Sequence, residues 1–527
     1  MKKKKPVFFL VLFLLIISTA VFAQTNKLSS DKNKGDPDRL LRIENPVKEA
    51  TNAYNVILCG ESGVLVFFES IEVTEEKLTK WYFIFYDNQL KVKWSLEIPL
   101  IKTISYKDFY LRQKQLYLYF QKKGGRKSDE NNFQLIEIQV ESGENNIISG
   151  IVPEKARFIK FLIHENLAYI GLNERKNKAS ISIIDLISLE IKTISIGNNN
   201  SCFLENINID TFNNTLDVIT HTFTSKRNLD LIINEYTLNG DLINSLAINN
   251  DQKNTLYASQ LIPVGKNKKF LIGTYTNKVP GKNELENSNI SVAGFYFVEI
   301  LNNKQQEIKF YNILDFKNLN TSLKGKEIHK LRKKAKNKKD GKDISIDYRL
   351  LVHDVIYLDE KFIIPSEAFY PEYRTVSRMY YDYYGRPMPQ TYTVFEGYKY
   401  YNANVFCVDE KGNLLWDNSI SVWSIVSFQI EEQICFLDEN DEIVIVFSSE
   451  GKIASTIIKG NETTGDLEFT DIETSYPGDK LIDEELSSLK YWYDNFFICY
   501  GFQTIKNNSL LKNEKRKVFY INKIAFQ

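Results

Sequence analysis

The sequence predicts an all-β chain made by repeating one four-stranded unit, and three observations carry that prediction. First, a strand–turn–strand pattern recurs: residues 83–94 and 404–416 each run apolar residues into an aspartate (Asp87, Asp409), pass through a polar turn, and reach a tryptophan seven positions on (Trp94, Trp416). Weaker copies occupy 231–248 and 443–458. Second, turn centres fall near 88, 143, 187, 239, 303, 411 and 450, a period near fifty apart from one interval of 108 that holds a hidden turn or a large insertion. Third, short apolar runs fill the intervals, with four in succession at 156–161, 167–172, 180–185 and 191–196. About four strands in about fifty residues is the arithmetic of a propeller blade.

The fold class expected is therefore all-β: a single β-propeller of about seven four-stranded blades, with eight as the alternative, carrying one helical basic insertion and one Tyr-rich insertion. A stacked β-sandwich pair or an irregular solenoid is the competing architecture. Unbroken apolar runs such as 64–68 predict strands covered on both faces, as a blade is by its neighbours. The Asp-turn-Trp hairpins resemble those of bacterial tryptophan-docked, quinoprotein-like propellers. The Asp-to-Trp gap here is tighter, the family's Ala and Thr-Gly positions are missing, and two units carry the Trp. Nothing matches the family's cofactor site, so the resemblance implies a fold and no cofactor.

The N-terminus reads as a secretory signal peptide (1–23): lysines at 2–5, an apolar core over 7–22, and small residues before a cleavage site ahead of Gln24. An uncleaved anchor is the rival reading. Residues 24–53 read as a flexible tether and 54–527 as the propeller, with insertions at 318–343 and 366–401. The expected location is outside the cytoplasm: periplasmic, cell-surface or extracellular. Lys+Arg and Asp+Glu number 67 each, a balance that argues against a general nucleic-acid or anionic-membrane binder. Five Cys with no Cys-x-x-Cys pair, and four His, do not form a His/Cys zinc pattern. Cys59, Cys407, Cys435 and Cys499 sit in apolar runs as small core residues, leaving room for one disulfide of unassigned partners. The terminal strand, 517–526, is expected to close the ring by pairing with an early strand such as 54–59.

Two segments break the rhythm. Residues 324–342 hold ten Lys/Arg against Glu327 and Asp340, with Leu319, Leu323, Ile328, Leu331 and Ala335 at helical spacing. That segment is either a docking patch for an anionic partner or a solvated excursion. Residues 370–401 hold ten tyrosines in 32 positions, divided by Pro371, Gly385, Pro387 and Pro389. Tyrosine combines a flat apolar face with a hydroxyl, which suits recognition of a protein or a polysaccharide. The candidate binding residues are Tyr370, Tyr373, Tyr380, Tyr381, Tyr383, Tyr384, Tyr392 and Tyr398. The alternative is a self-packed hairpin whose rings cover the adjacent blade.

No nucleophile elbow, phosphate loop or His-Glu-x-x-His pair occurs, and 60–63 reads as a hairpin turn. Residues 438–442 resemble a calcium loop in composition only, so no metal site is expected. Glu367 and Glu372 flank the aromatic segment and could serve as acid and base on a glycoside if brought together. His353-Asp354 reads as part of a strand. The sequence thus favours an exported, non-catalytic propeller that binds a protein or glycan partner. A glycan-active enzyme and a purely structural envelope protein stand as alternatives.

Overall fold

The computed structural model describes residues 41–47, 54–122, 131–176, 178–197, 201–225, 228–250, 254–281, 284–285, 290–322, 349–439, 442–507 and 515–526. The signal-peptide reading, most of the expected tether and most of the lysine-rich insertion lie outside them. Within them, eight antiparallel sheets follow one another as blades: 55–100, 104–150, 157–196, 202–247, 255–312, 349–427, 434–471 and 479–525. Seven blades hydrogen-bond their strands in chain order. First strands touch first strands from blade to blade: Ile104–Arg112 meets Arg157–His164, which meets Cys202–Asp210, which meets Thr255–Gly265. The chain is an eight-bladed β-propeller.

Six of the seven predicted turn centres are the turns between third and fourth strands of blades 1 to 6. The seventh, at 450, joins the second and third strands of blade 7. Blade 8 has no such turn, because its fourth strand comes from the other end of the chain. The long interval is an enlarged sixth blade rather than a hidden one. The repeated Trp has a physical role: Trp94 stacks on Phe85 at 5.0 Å and donates from Nε1 to Val140 O at 2.8 Å. Its ring covers Gly143 of the next blade so closely that an added Cβ would lie 2.9 Å from it. Trp416 lies over Gly460 of the next blade more loosely, 3.9 Å from where a Cβ would sit, and Ile194 meets Gly240 where the Trp is absent.

Each hydrophobic cluster joins successive blades, two in most cases and three where Phe203 and Leu229 of blade 4 extend the cluster of blades 5 and 6. Phe67, Phe83 and Phe85 of blade 1 pack with Leu118 and Phe120 of blade 2, and Phe270 and Phe297 of blade 5 pack with Phe362 and Phe406 of blade 6. Both faces of a middle strand are therefore buried, which is why these strands read as continuous apolar runs. Polar side chains tie one blade to the inner strand of the next. Asn173 donates to Leu204 O at 2.8 Å and accepts from Leu204 N at 2.7 Å. Asn206 and Asn208 donate to Ser259 O and Leu261 O, and Gln260 brackets His353 O and Val355 N. These bonds satisfy backbone groups that first-strand irregularities leave unpaired; register shifts fall at 106/108, 158/160, 204/206 and 257/260.

Ring closure differs from the expected pairing. Lys515–Ala525 pairs with Phe496–Asn507 on one side and with Leu41–Pro46 on the other, so the outer strand of blade 8 comes from the segment read as a tether. The 54–59 segment instead supplies the inner strand of blade 1, where Tyr54 stacks on Phe519 at 4.3 Å. Charge fixes the closing strand: Arg42 donates to Asn522 and Gln503, and Glu44 meets Arg516 at 3.1 Å. The signal was an alternating strand hidden inside a polar stretch.

Candidate functional site

Blade 6 grows out of its own sheet. Its second and third strands, Lys361–Tyr381 and Pro387–Asp409, stay paired from Lys361↔Asp409 to Tyr381↔Pro387. The fourth strand, Leu414–Ser427, follows only as far as Tyr398, so residues 373–395 form a two-stranded ribbon beyond the sheet. Pro365 lies opposite a break in the inner strand, which splits into Arg349–Val352 and Ile356–Leu358. Proline lacks a ladder donor and marks such irregularities. At the tip, Asp382 N donates to Arg386 O at 3.0 Å and Gly385 N to Asp382 O at 2.9 Å. Asp382 Oδ1 accepts from Tyr384 N and Arg386 N, and Gly385 takes the left-handed φ of 73° that this turn requires. Asp87 and Asp409 organise their turns in the same way.

The tyrosine-rich segment has two unlike halves. At its base, Phe369 and Tyr400 are fully buried, and Tyr400 Oη donates to Glu431 O at 2.8 Å. Tyr398 is half-buried against Phe369 and Phe395. Beyond the bulge at Glu396, Tyr373, Tyr380 and Tyr381 are exposed, and Tyr383 and Tyr384 keep 97% and 78% of their surface in water. Tyr370 is exposed beside Tyr401, and Tyr392 is half-buried. The tip rings therefore do not cover a neighbouring blade, as a packed cap would require. Cross-strand pairing puts Tyr373, Phe395, Met379 and Tyr381 on one face of the ribbon. Arg374, Val376, Arg378, Tyr380, Met388 and Tyr392 occupy the other. Arg378 lies 5.7 Å over the Tyr392 ring and Arg386 5.6 Å over Tyr384.

The structure overturns the carboxylate pair. Glu367 and Glu372 are five residues apart on one strand, so they point to opposite faces. Glu367 is fully buried, 2.7 Å from His353 Nε2, and accepts from Gln433 N and Ile434 N of blade 7. Glu372 lies near Lys399 at 3.8 Å. A glycosidase needs both groups on one sugar, and here one carboxylate is a clamp between blades. Burial lowers the His353 imidazolium's stability, but the Glu367 bond and the charges of Glu367, Glu432 and Asp354 outweigh it, so His353 protonates above its ordinary range.

Other chemistry-bearing clusters are also interblade ties. Ser259 and His221 both approach Glu205 rather than each other: His221 Nε2 at 2.5 Å, Ser259 N at 2.5 Å and Ser259 Oγ at 3.3 Å. The Ser259 hydroxyl also accepts from the buried Tyr296 while donating to Glu205, so it is one link of a buried network. Asp210, Asp217 and Glu235 converge on the Lys269 ammonium at 2.9, 2.8 and 3.2 Å, and that ammonium occupies the place a metal cation would take. Burial pushes the Asp217 carboxyl up to about 6. The five thiols are free, and burial pushes Cys59 up to about 12. Residues 438 and 439 end a strand whose Glu439 pairs with Glu442; the residues between lie outside the described ones.

The sequence reading missed the apolar surface at the ribbon's foot. Trp423, Val426 and Phe428 stay exposed on the outer strand and its exit, and Trp423 meets the exposed Phe469 of blade 7 at 5.8 Å. Their spacing alone reads as an ordinary half-buried strand; nothing local says that no further strand covers it.

No family model matches this chain, and no curated protein sequence is similar to it. Solved structures of similar architecture include the β-propeller domain of the Trilobed protease from Pyrococcus furiosus, at 8% identity and a TM-score of 0.33 over 79% of this chain and 98% of that one. The WD40 domain of SCAP from fission yeast gives 8% identity and a TM-score of 0.38, covering 91% and 98%. Saccharomyces cerevisiae Sqt1 gives 11% and 0.40, covering 89% and 98%. At these identities the likeness concerns architecture, not activity.

Proposed function

We propose that this chain is an exported, non-catalytic binding propeller that docks a protein partner through the ribbon of blade 6. The observation that carries the reading is the exposure of Tyr373, Tyr380, Tyr381, Tyr383 and Tyr384 beside Met379, Met388 and three arginines. A two-stranded ribbon solvated on both faces is marginal by itself, and exposed aromatics in one place mark an interaction surface. Tyr and Arg are the residues that dominate binding energy at protein interfaces, and Met adapts to a partner's contours. The ribbon stands on a buried base, so it is presented by a rigid element rather than by a loose loop. A protein fits this mixture better than a polysaccharide does. The sugar-binding alternative would place rings side by side as a flat platform, whereas Tyr383 and Tyr384 stand at 87° to each other.

The test uses a shortened ribbon in which Arg374 joins Val394 through Asn-Gly, a two-residue turn suited to a hydrogen-bonded pair. Replacing the whole 366–401 segment would remove Phe369 and Tyr400 from the core and confuse folding with binding. Wild type and the shortened chain serve as baits for proteins of the native envelope, and each captured protein is purified and re-tested. Capture by wild type that the shortened chain loses, with equal melting temperatures, supports the reading. Equal capture by both baits sinks it, and selective retention of polysaccharide by the ribbon would reassign the partner class.

A further inference from the structure

The two long edges of the ribbon differ in what their backbones offer. Antiparallel pairs alternate between those that exchange backbone hydrogen bonds and those that do not. The turn sets the phase, because Asp382 N bonds Arg386 O. Counting away from that pair, Tyr380↔Met388, Arg378↔Gln390, Val376↔Tyr392 and Arg374↔Val394 are bonded pairs. Tyr381↔Pro387, Met379↔Pro389, Ser377↔Thr391, Thr375↔Thr393 and Tyr373↔Phe395 are not, so their backbone groups face outward to the free edges. Two of the five outward positions on the 387–395 edge are Pro387 and Pro389, which have no N–H. All five on the 373–381 edge keep theirs. Proline on an edge is a device that prevents strand addition, so one edge is closed and the other open. Among the described residues, the inner strands that pair with Lys361–Tyr381 reach only to Phe369.

We propose that the open 373–381 edge takes up an extended acidic strand from a protein partner, which becomes the third strand of the ribbon. This rests on the ribbon being the docking element. Main-chain bonds to Tyr373, Thr375, Ser377, Met379 and Tyr381 supply the pairing, and alternate side chains supply the choice of partner. On one face the incoming strand meets Arg374, Val376, Arg378 and Tyr380; on the other it meets Tyr373, Thr375, Ser377, Met379 and Tyr381. Arg374 is held by Glu396 at 2.7 Å, but among the described residues Arg378 and Arg386 rest on tyrosine rings without an ion pair. An Asp or Glu on the incoming strand completes them. A second copy of this chain lying antiparallel on the edge around Ser377 would bring no carboxylate to Arg378, which favours a foreign strand.

The test selects a phage-displayed random 12-residue library on the full chain, then measures the enriched peptides by fluorescence polarisation. Ser377→Pro removes one outward N–H from the open edge. Thr391→Pro removes its cross-strand counterpart from the edge already carrying two prolines, and so controls for local strain. Expected are proline-free peptides with Asp or Glu at alternate positions. Ser377→Pro should weaken them at least tenfold, Thr391→Pro less than twofold, and bound peptide should slow amide exchange across 373–381. No enrichment, enrichment of basic peptides, or equal effects of the two prolines overturns the proposal. A chain dimer dissolved by Ser377→Pro also overturns it, since the occupant would be a second copy. Peptides lost with the shortened ribbon but indifferent to both prolines overturn the edge alone; peptides kept by the shortened ribbon overturn the docking reading as well.

Discussion

The seam between blades 4 and 5 and the ribbon of blade 6 use charged and aromatic side chains to opposite ends. At the seam, Lys269 is buried with three carboxylates around it, and Tyr296 is buried with its hydroxyl on Ser259. On the ribbon, arginines and tyrosines of similar size stand in water with few partners of their own. Residue type does not separate these regions; the completeness of their contacts does. A closed network holds a structure together, whereas an open one is available to something else. Substitutions at the seam and ring should therefore cost stability and leave binding intact, and those on the ribbon should do the reverse.

The largest effect should come from breaking the ring. Removing the chain from Lys517 onward deletes the strand that lies between Phe496–Asn507 and Leu41–Pro46. The third and the outer strand of blade 8 are then both lost, and no cooperative melting transition should remain. A truncated chain melting like the full one would show that closure contributes little. Next is Lys269→Met, which leaves Asp210, Asp217 and Glu235 buried without their cation. Removing one partner of a buried ion network costs about 3–5 kcal/mol, read by chemical denaturation. A loss below about 1 kcal/mol would mean that water enters the seam and that it is not the closed network described.

A smaller effect is expected at the His353–Glu367 clamp between blades 6 and 7. The folded state raises the protonation of His353. A group raised on folding contributes fully below its unfolded value of about 6.5 and loses that contribution as pH climbs through the raised folded value. The melting temperature should therefore decline as pH is raised above that ordinary value, with the His353 contribution intact below it. In His353→Gln that part of the slope should vanish. An unchanged slope in the variant would assign the pH dependence to other groups.

Much of the ring was legible because blade repetition leaves a local mark. Asp87 and Asp409 each bond their own turn, and Trp94 and Trp416, each seven residues further on, lie over a glycine of the next blade. What could not be read was set by partners far away in sequence. The strand Leu41–Pro46 looks like linker until Arg42 meets Asn522 and Gln503. Glu367 looks like a catalytic candidate until His353 and the backbone of blade 7 surround it. The tyrosine segment was found by composition, but composition does not distinguish the buried Tyr400 from the exposed Tyr383. That distinction depends on where the fourth strand stops pairing, at Tyr398.

The smallest effect on stability should fall at the ribbon's tip, where Tyr383 and Tyr384 touch chiefly each other, at 5.6 Å, with Arg386 over the second ring. Rings that stay in water when the chain folds bury little apolar area, so replacing both with Ala should change unfolding free energy by less than about 0.5 kcal/mol. The turn should survive, because Asp382 and Gly385 make it through backbone and carboxylate bonds that neither ring supplies. Binding should respond quite differently. A tyrosine that becomes buried at an interface contributes about 2 kcal/mol or more when it is an anchor, so losing the pair should weaken a ribbon-dependent partner at least thirtyfold. Measured together, an unchanged denaturation curve and a weakened complex would separate the open network from the closed ones. If the double variant instead loses stability and keeps its partner, the tip belongs with the seam, and the docking surface must be sought at Trp423, Phe428 and Phe469.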